Sequence, residues 1–296
     1  MVASKIREER VAFEVESVDV VGVLRVPVGA HASAALVFAG PMTSVKEQAT
    51  GNYAMALAAR GFVTLAFDHR HFGESGGEPR QYEHPGRKVE DFRAAFGFVA
   101  SRPEVDPNRI GAVGVCAGAG YLAPAVAGDD RCKAWGTVAG FFHDALIQRR
   151  WFGDAYEPRL EEAIDAREHY EDTREALAIP AVGDGDVAMP LHEAFEYYGT
   201  ERGVVPNYVN QFAVMSGEHT LPWDAQSSAY DITVPTIMVH SERAAAPPLA
   251  RKFFKSLAGL KDEVWLDTEN HIDFYDRSEQ IDAAANELSR HFRSHL

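Results

Sequence analysis

The stretch Asn108-Arg109-Ile110-Gly111-Ala112-Val113-Gly114-Val115-Cys116-Ala117-Gly118-Ala119-Gly120 decides how this chain is read. From Ile110 it is a continuous apolar run, the pattern of a strand covered on both faces, and it passes without a polar break into small residues suited to a helix. At the junction stands Gly114-x-Cys116-x-Gly118. A tight strand-to-helix turn needs small flanking residues because two backbones approach closely there. It also lifts the central side chain above the sheet on strained backbone, the arrangement of the G-x-S-x-G nucleophile elbow with cysteine in the serine place. Cys116 is therefore expected at a helix N-terminus, where the helix dipole favours a thiolate.

Working outward, strands and helices alternate on both sides of this turn. Val11–Val15 and Val18–Val28 read as an opening antiparallel pair, and Ala34–Ala39 as a buried strand ending in the turn Gly40-Pro41-Met42-Thr43-Ser44. A helix is predicted from Lys46 to Arg60 with Gly61 as its stop, then a strand over Phe62–Phe67 and a helix from Lys88 to Ala100. After the elbow come a helix over Ala119–Ala127 and a strand over Ala134–Gly140. The alternation lapses from Phe141 to Asp231, which is rich in aromatic and charged residues and shows helical stretches at Arg159–Leu177 and Leu191–Tyr198 but no clear strand. A structureless loop of that length is improbable, so this insertion is expected to fold as helices over something. Alternation resumes with the strand Thr236–His240, a helix over Pro248–Leu257, the strand Glu263–Leu266 and a helix from Ser278 to about Arg293. Such a pattern predicts an α/β protein with a mostly parallel central sheet and helices on both faces.

Composition excludes several classes of partner. The formal charge of -15 over 296 residues disfavours nucleic acid and anionic membrane surfaces. No run approaches the roughly 18 apolar residues that span a bilayer, and the polar start carries no signal-peptide core, so a cytoplasmic location is expected. The two cysteines make no disulfide framework. Cys132 reads as a small buried hydrophobe. His291 and His295 have the i, i+4 spacing of metal ligands but lack a third partner, and no metal is expected. G-x-G-x-x-G is absent from Gly111 to Gly120, and no cofactor is expected.

Four strings occur in order: Gly40-Pro41-Met42-Thr43-Ser44-Val45-Lys46-Glu47-Gln48, Phe67-Asp68-His69-Arg70 through Gly73-Glu74-Ser75-Gly76-Gly77, the cysteine elbow, and Asn270-His271-Ile272-Asp273-Phe274-Tyr275-Asp276. With them the chain resembles, over essentially its whole length, the α/β-hydrolase superfamily, in particular its dienelactone-hydrolase branch together with a group of fungal polyketide transferases. The resemblance implies an α/β-hydrolase core over residues 1–140 and 232–296 and a helical cap over 141–231, inserted after the sixth strand.

That resemblance also implies a nucleophile, an acid and a histidine in that chain order. Cys116 and His271 fit the first and last places, and pairing between them is expected to lower the thiol pKa. The usual acid position falls on Ala244. Asp144 and Glu242 both preserve chain order as substitutes, and a dyad without an acid stands beside them, since a thiolate needs less help than a hydroxyl. The oxyanion hole is expected from the backbone N–H groups of Ala117 and Met42, because Pro41 has none to give. Dienelactone hydrolases carry a glutamate directly after the third strand, where this chain has Ala39 and Gly40. Asp68, His69, Arg70 and His71 read as a hydrogen-bonded network fixing the loop Phe72–Gly77. The aromatics of the insertion, among them Trp151, Tyr198, Tyr208 and Trp223, are expected to form its core and to roof a pocket above Cys116.

The expected activity is cofactor-independent cleavage of an ester, thioester or lactone of an apolar small molecule through a Cys116 acyl-enzyme with His271 as base. An acyltransferase on polyketide-like thioesters and a non-hydrolytic lyase or ligand-binding role are the alternatives, and a homodimer is possible.

Overall fold

A computed structural model of the chain describes residues 5–296. Strands β1 (Ile6–Val15) and β2 (Val18–Pro27) pair antiparallel with Val15 opposite Val18. Glu16 and Ser17 both turn through positive φ, as a two-residue hairpin matching the strand twist requires. Next come β3 (Ser33–Ala39), helix α1 (Ala49–Ala58), β4 (Val63–Phe67), α2 (Pro85–Ala100), β5 (Val105–Val115), α3 (Ala117–Gly128) and β6 (Cys132–Val138). The chain then runs through α4 (Ala145–Phe152), α5 (Tyr156–Thr173), the short strand β7 (Ala178–Ile179), α6 (His192–Tyr198), β8 (Phe212–Ala213) and α7 (Gly217–Thr220). It closes with β9 (Thr236–His240), α8 (Pro247–Ser256), β10 (Lys261–Trp265), the single turn α9 (Asp273–Asp276) and α10 (Ser278–His295).

The main sheet has the order β1-β2-β4-β3-β5-β6-β9-β10 and is parallel from β4 onward, with β2 antiparallel to β4. Successive side chains of β3 point to opposite faces, so Val37 joins a core with Phe92, Leu122 and Trp135, whereas Leu36 and Phe38 join one with Tyr53, Leu288 and Phe292. Burial on both faces is why the inner strands read as continuous apolar runs. The insertion differs from its sequence reading in one respect. Besides helices it holds the antiparallel pair β7–β8, whose two-residue strands are too short to leave any periodicity.

Buried charges anchor the loops at the C-terminal edge of the sheet. Asp68, at the end of β4, accepts from Lys46 Nζ at 2.7 Å, from Lys46 N at 2.7 Å and from Glu74 N at 2.9 Å. Asp91 of α2 takes His69 Nδ1 at 3.0 Å and Arg70 Nε at 2.5 Å. His71 Nδ1 meets the Pro79 carbonyl at 3.0 Å. These residues form the network expected of them around the loop 72–77, and none of these contacts involves the elbow.

Candidate active site

Cys116 sits between β5 and α3 with φ 54° and ψ -128°, a conformation that costs an L-residue roughly 1–3 kcal/mol and persists because its surroundings enforce it. Its N–H donates to the Val138 carbonyl at 3.1 Å, and its carbonyl accepts from Phe141 N at 2.8 Å and Ala119 N at 3.0 Å. The flanking glycines are steric requirements. A Cβ on Gly114 would stand 2.5 Å from Ala119 Cα, and one on Gly118 2.5 Å from the Gly40 carbonyl. Cys116 packs against both cores, at the seam where the two faces of the sheet meet. It is partly exposed, yet burial dominates its titration.

Burial pushes the Cys116 thiol up to about 11; hydrogen bonds from Tyr275 and the Ala117 N–H work against this, and the charge of Glu83 reinforces it. The lowered thiol pKa expected from the sequence is thus reversed. Desolvation of the thiolate outweighs the helix end and the neighbouring donors.

His271 is buried, and its side-chain partner is the Tyr275 hydroxyl. His271 Nε2 lies 3.0 Å from Tyr275 Oη, and Tyr275 packs in the same cluster as Cys116, close enough to favour its thiolate. The other ring nitrogen, Nδ1, accepts the backbone N–H of Ala245 at 3.1 Å. Burial, helped by His240, pulls the His271 pKa down to about 3, so the ring is neutral at physiological pH. His271 thus meets a tyrosine on one side of its ring, and on the other a backbone donor stands where an orienting acid would accept. Residues 241–246 are held for this by Ala244 N to the Ser241 carbonyl at 3.2 Å and Thr268 Oγ1 to Ser241 Oγ at 2.7 Å.

The two candidate acids are engaged elsewhere. Asp144 caps α4, accepting from Ile147 N at 3.0 Å, and pairs with Lys252, which holds its carboxyl below the usual range against the opposing effect of burial. Glu242 is exposed and pairs with Arg251. Both carboxylates are therefore committed to a helix cap or an ion pair, and neither is a hydrogen-bond partner of the His271 ring.

Ala117 opens α3 directly after Cys116, and its N–H favours the thiolate. Met42 is partly buried in the turn after β3, and the following Thr43 N donates to Glu83 Oε2 at 3.2 Å. Glu83 is fully buried. It accepts Lys88 Nζ at 2.5 Å, while its own N–H donates to Ser216 Oγ of the insertion at 2.9 Å. Glu83 thus ties the Met42–Thr43 turn and Lys88 of α2 through its carboxylate, and the insertion through its backbone N–H, near enough to Cys116 to act on its thiol. Sequence reading missed Glu83, because a carboxylate in the polar loop Gln81–His84 gives no sign of burial. Tyr275 did leave a signal: it follows His271 by four residues, the spacing that stacks side chains on one face of a helical turn.

Around the thiol, Tyr121 and Tyr198 lie close enough to feel its charge. Tyr198 stacks on Tyr208 at 5.2 Å and meets Tyr275 edge-on at 6.3 Å, and Trp223 meets Tyr121 at 6.4 Å. Trp151 and Phe152 are exposed, and Phe142 is buried against Phe253. Cys132 is buried, its thiol raised to about 12 chiefly by burial. His291 Nε2 meets the Pro235 carbonyl at 3.1 Å, and among the described residues no cluster of metal-ligating side chains occurs. A surface depression of about 650 Å³ is lined mostly by charged side chains, among them the pairs Arg202–Asp276 and Arg277–Asp273, and includes neither Cys116 nor His271.

The doubly covered parallel sheet, the cysteine elbow after β5 and the histidine beyond the last strand give the chain the α/β-hydrolase fold, and it belongs to one family with the uncharacterized protein YcjY. No protein-family profile matches it. It is 33% identical over 272 residues to the uncharacterized protein YcjY of Escherichia coli, covering 88% of this chain and 89% of that one. The crystal structure of the hypothetical protein PA2218 from Pseudomonas aeruginosa superposes with a TM-score of 0.88 at 30% identity, over 99% of this chain and 94% of that one. The polyketide transferase claH of Penicillium crustosum is 28% identical over 206 residues, 66% of each chain. In fold, the α/β hydrolase GrgF from Penicillium sp. sh18 superposes with a TM-score of 0.83 at 22% identity, over 98% of this chain and 99% of that one.

Proposed function

We propose that the protein transfers acyl groups from an ester, thioester or lactone by way of a Cys116 acyl-enzyme. The observation that carries this reading is the strained Cys116 backbone at the N-terminus of a twelve-residue helix, between two glycines that admit no Cβ. A buried structural cysteine has no need of positive φ or of a glycine on either side. In the reaction Sγ bonds to the carbonyl carbon, and the oxygen takes the negative charge under the N–H groups of Ala117 and Met42. Collapse of that adduct breaks the bond to the leaving alkoxide or thiolate, which departs with a proton. Water or an acceptor hydroxyl then attacks the acyl-enzyme and regenerates the thiol. Tyr275 and His271 attend the sulfur throughout. Phe141–Asp231 serves as a cap, and its Tyr198, Tyr208 and Trp223 supply aromatic surface for the acyl chain.

A thioester is the favoured substrate class. A poorly nucleophilic, desolvated thiol exchanges more readily with a thiolate leaving group of lower pKa than with an alkoxide. The printed names of relatives accord with this, claH being a polyketide transferase and aneE of Aspergillus aculeatus, 36% identical over 115 residues, a thiohydrolase. Intact-protein mass spectrometry after incubation with activated acyl thioesters and esters tests the reading. An acyl adduct on the Cys116 peptide, absent from Cys116→Ala, is expected, and full turnover by Cys116→Ala would overturn it. Product analysis with and without an acceptor alcohol separates transfer from hydrolysis.

A further inference from the structure

We infer that Ala245, His271 and Tyr275 form a hydrogen-bond-donating relay aimed at Cys116, in which His271 is a positioning residue that keeps its proton and Tyr275 is the catalytic residue that touches the sulfur. The inference follows from the polarity of one contact. A backbone N–H only donates, so the 3.1 Å contact from Ala245 requires Nδ1 of His271 to be the lone-pair nitrogen. A neutral imidazole then carries its proton on Nε2, and at 3.0 Å that N–H donates to Tyr275 Oη. With its oxygen accepting, Tyr275 keeps its own O–H free to donate, and it packs in the same cluster as Cys116, whose thiolate it favours.

A triad runs the other way. Its acid accepts from Nδ1–H and leaves Nε2 free to take the nucleophile's proton. Here, passing a proton from Sγ to Oη and from Oη to Nε2 would demand the Nδ1–H tautomer, which would set two N–H donors against each other at Ala245. The relay therefore stabilises the thiolate and accepts no proton from it. The Sγ proton leaves to solvent hydroxide or to the departing group, and no bond in the relay breaks.

Every group facing the pair fits this polarity. Tyr121, Tyr198 and the Glu83–Lys88 pair face Cys116, and His240 faces His271; the Nδ1 and Nε2 atoms of His240 meet the Ser241 and Gly140 carbonyls, at 2.9 Å and 3.2 Å. Among the described groups facing His271 none is a carboxylate that would accept from Nδ1–H. The consequence for catalysis rests on the proposed Cys116 nucleophile; the tautomer does not.

The test is a long-range proton–nitrogen spectrum of the full-length protein labelled at histidine, with the His271 signals assigned by their loss in His271→Asn. Protonated Nε2 with bare Nδ1 is expected, and protonated Nδ1 would overturn the inference while leaving the acyl-enzyme reading intact. Ala244→Asp, which places a carboxylate next to Nδ1, is expected to reverse the tautomer. The second arm follows iodoacetamide alkylation of the Cys116 peptide, which needs no substrate. Tyr275→Phe keeps the ring packing and should slow alkylation at pH 8 about tenfold, the effect of losing one hydrogen bond to a charged sulfur, without changing the His271 tautomer. An unchanged alkylation rate would overturn the role of Tyr275.

Discussion

At Cys116 two opposed requirements meet on one residue. The elbow positions the sulfur by straining its backbone, and the same burial that enforces the strain raises the thiol pKa. Glu83 matters here because it adds a negative charge to that environment while holding the Met42–Thr43 turn. Glu83→Gln keeps an acceptor for Thr43 N but removes the charge. The thiol pKa, read from alkylation against pH, should fall. The buried Lys88 is left unpaired, so urea denaturation should show a loss of about 3 kcal/mol. An unchanged thiol pKa would show that Glu83 acts on the turn alone. At this scale the sequence disclosed Cys116 through its glycines and His271 through its place after the last strand. It did not disclose which partners each ring nitrogen would find, since Asp144 and Glu242 were equally compatible with chain order and both found basic partners instead.

Among the elements, the join between β5 and α3 is the most constrained. Gly118 meets the backbone at the end of β3, with a Cβ there falling 2.6 Å from the Ala39 carbonyl carbon. Gly118→Ala must therefore push α3 away from the turn that carries Met42. The expected outcome is a stability loss of about 1–3 kcal/mol by chemical denaturation, together with loss of acyl-adduct formation. Strand and helix positions were legible because an inner strand buried on both faces has no freedom to be polar. The ends were less so: α1 begins at Ala49, where periodicity suggested Lys46, because the buried Lys46 is committed to Asp68 rather than to a first helical turn.

For the molecule as a whole, buried neutral histidines set the response to acid. His271 and His143 are both held neutral by burial, with pKa values of about 3. In the unfolded chain they titrate near 6.5, so between roughly pH 6.5 and 3 the unfolded state binds protons that the folded state refuses. Stability is complete above that window and falls as pH drops through it, by up to about 1.4 kcal/mol per pH unit for each histidine. Urea midpoints at pH 8, 6 and 4.5 should decline below pH 6.5, and His143→Gln should flatten the decline. A midpoint independent of pH over this range would refute the assignment.

The amino-acid sequence by itself determined the layered architecture, the elbow and the two residues of greatest chemical interest, because periodicity, turn sterics and the order of strands are local properties of a chain. Only the tertiary structure decided the hydrogen-bond polarity around His271, the pairing of Tyr275 with that ring, and the burial of Glu83 with Lys88. Those depend on which atoms from distant segments meet out of water. A backbone N–H arriving at Nδ1 is available at every residue except proline, so no residue type could have announced it.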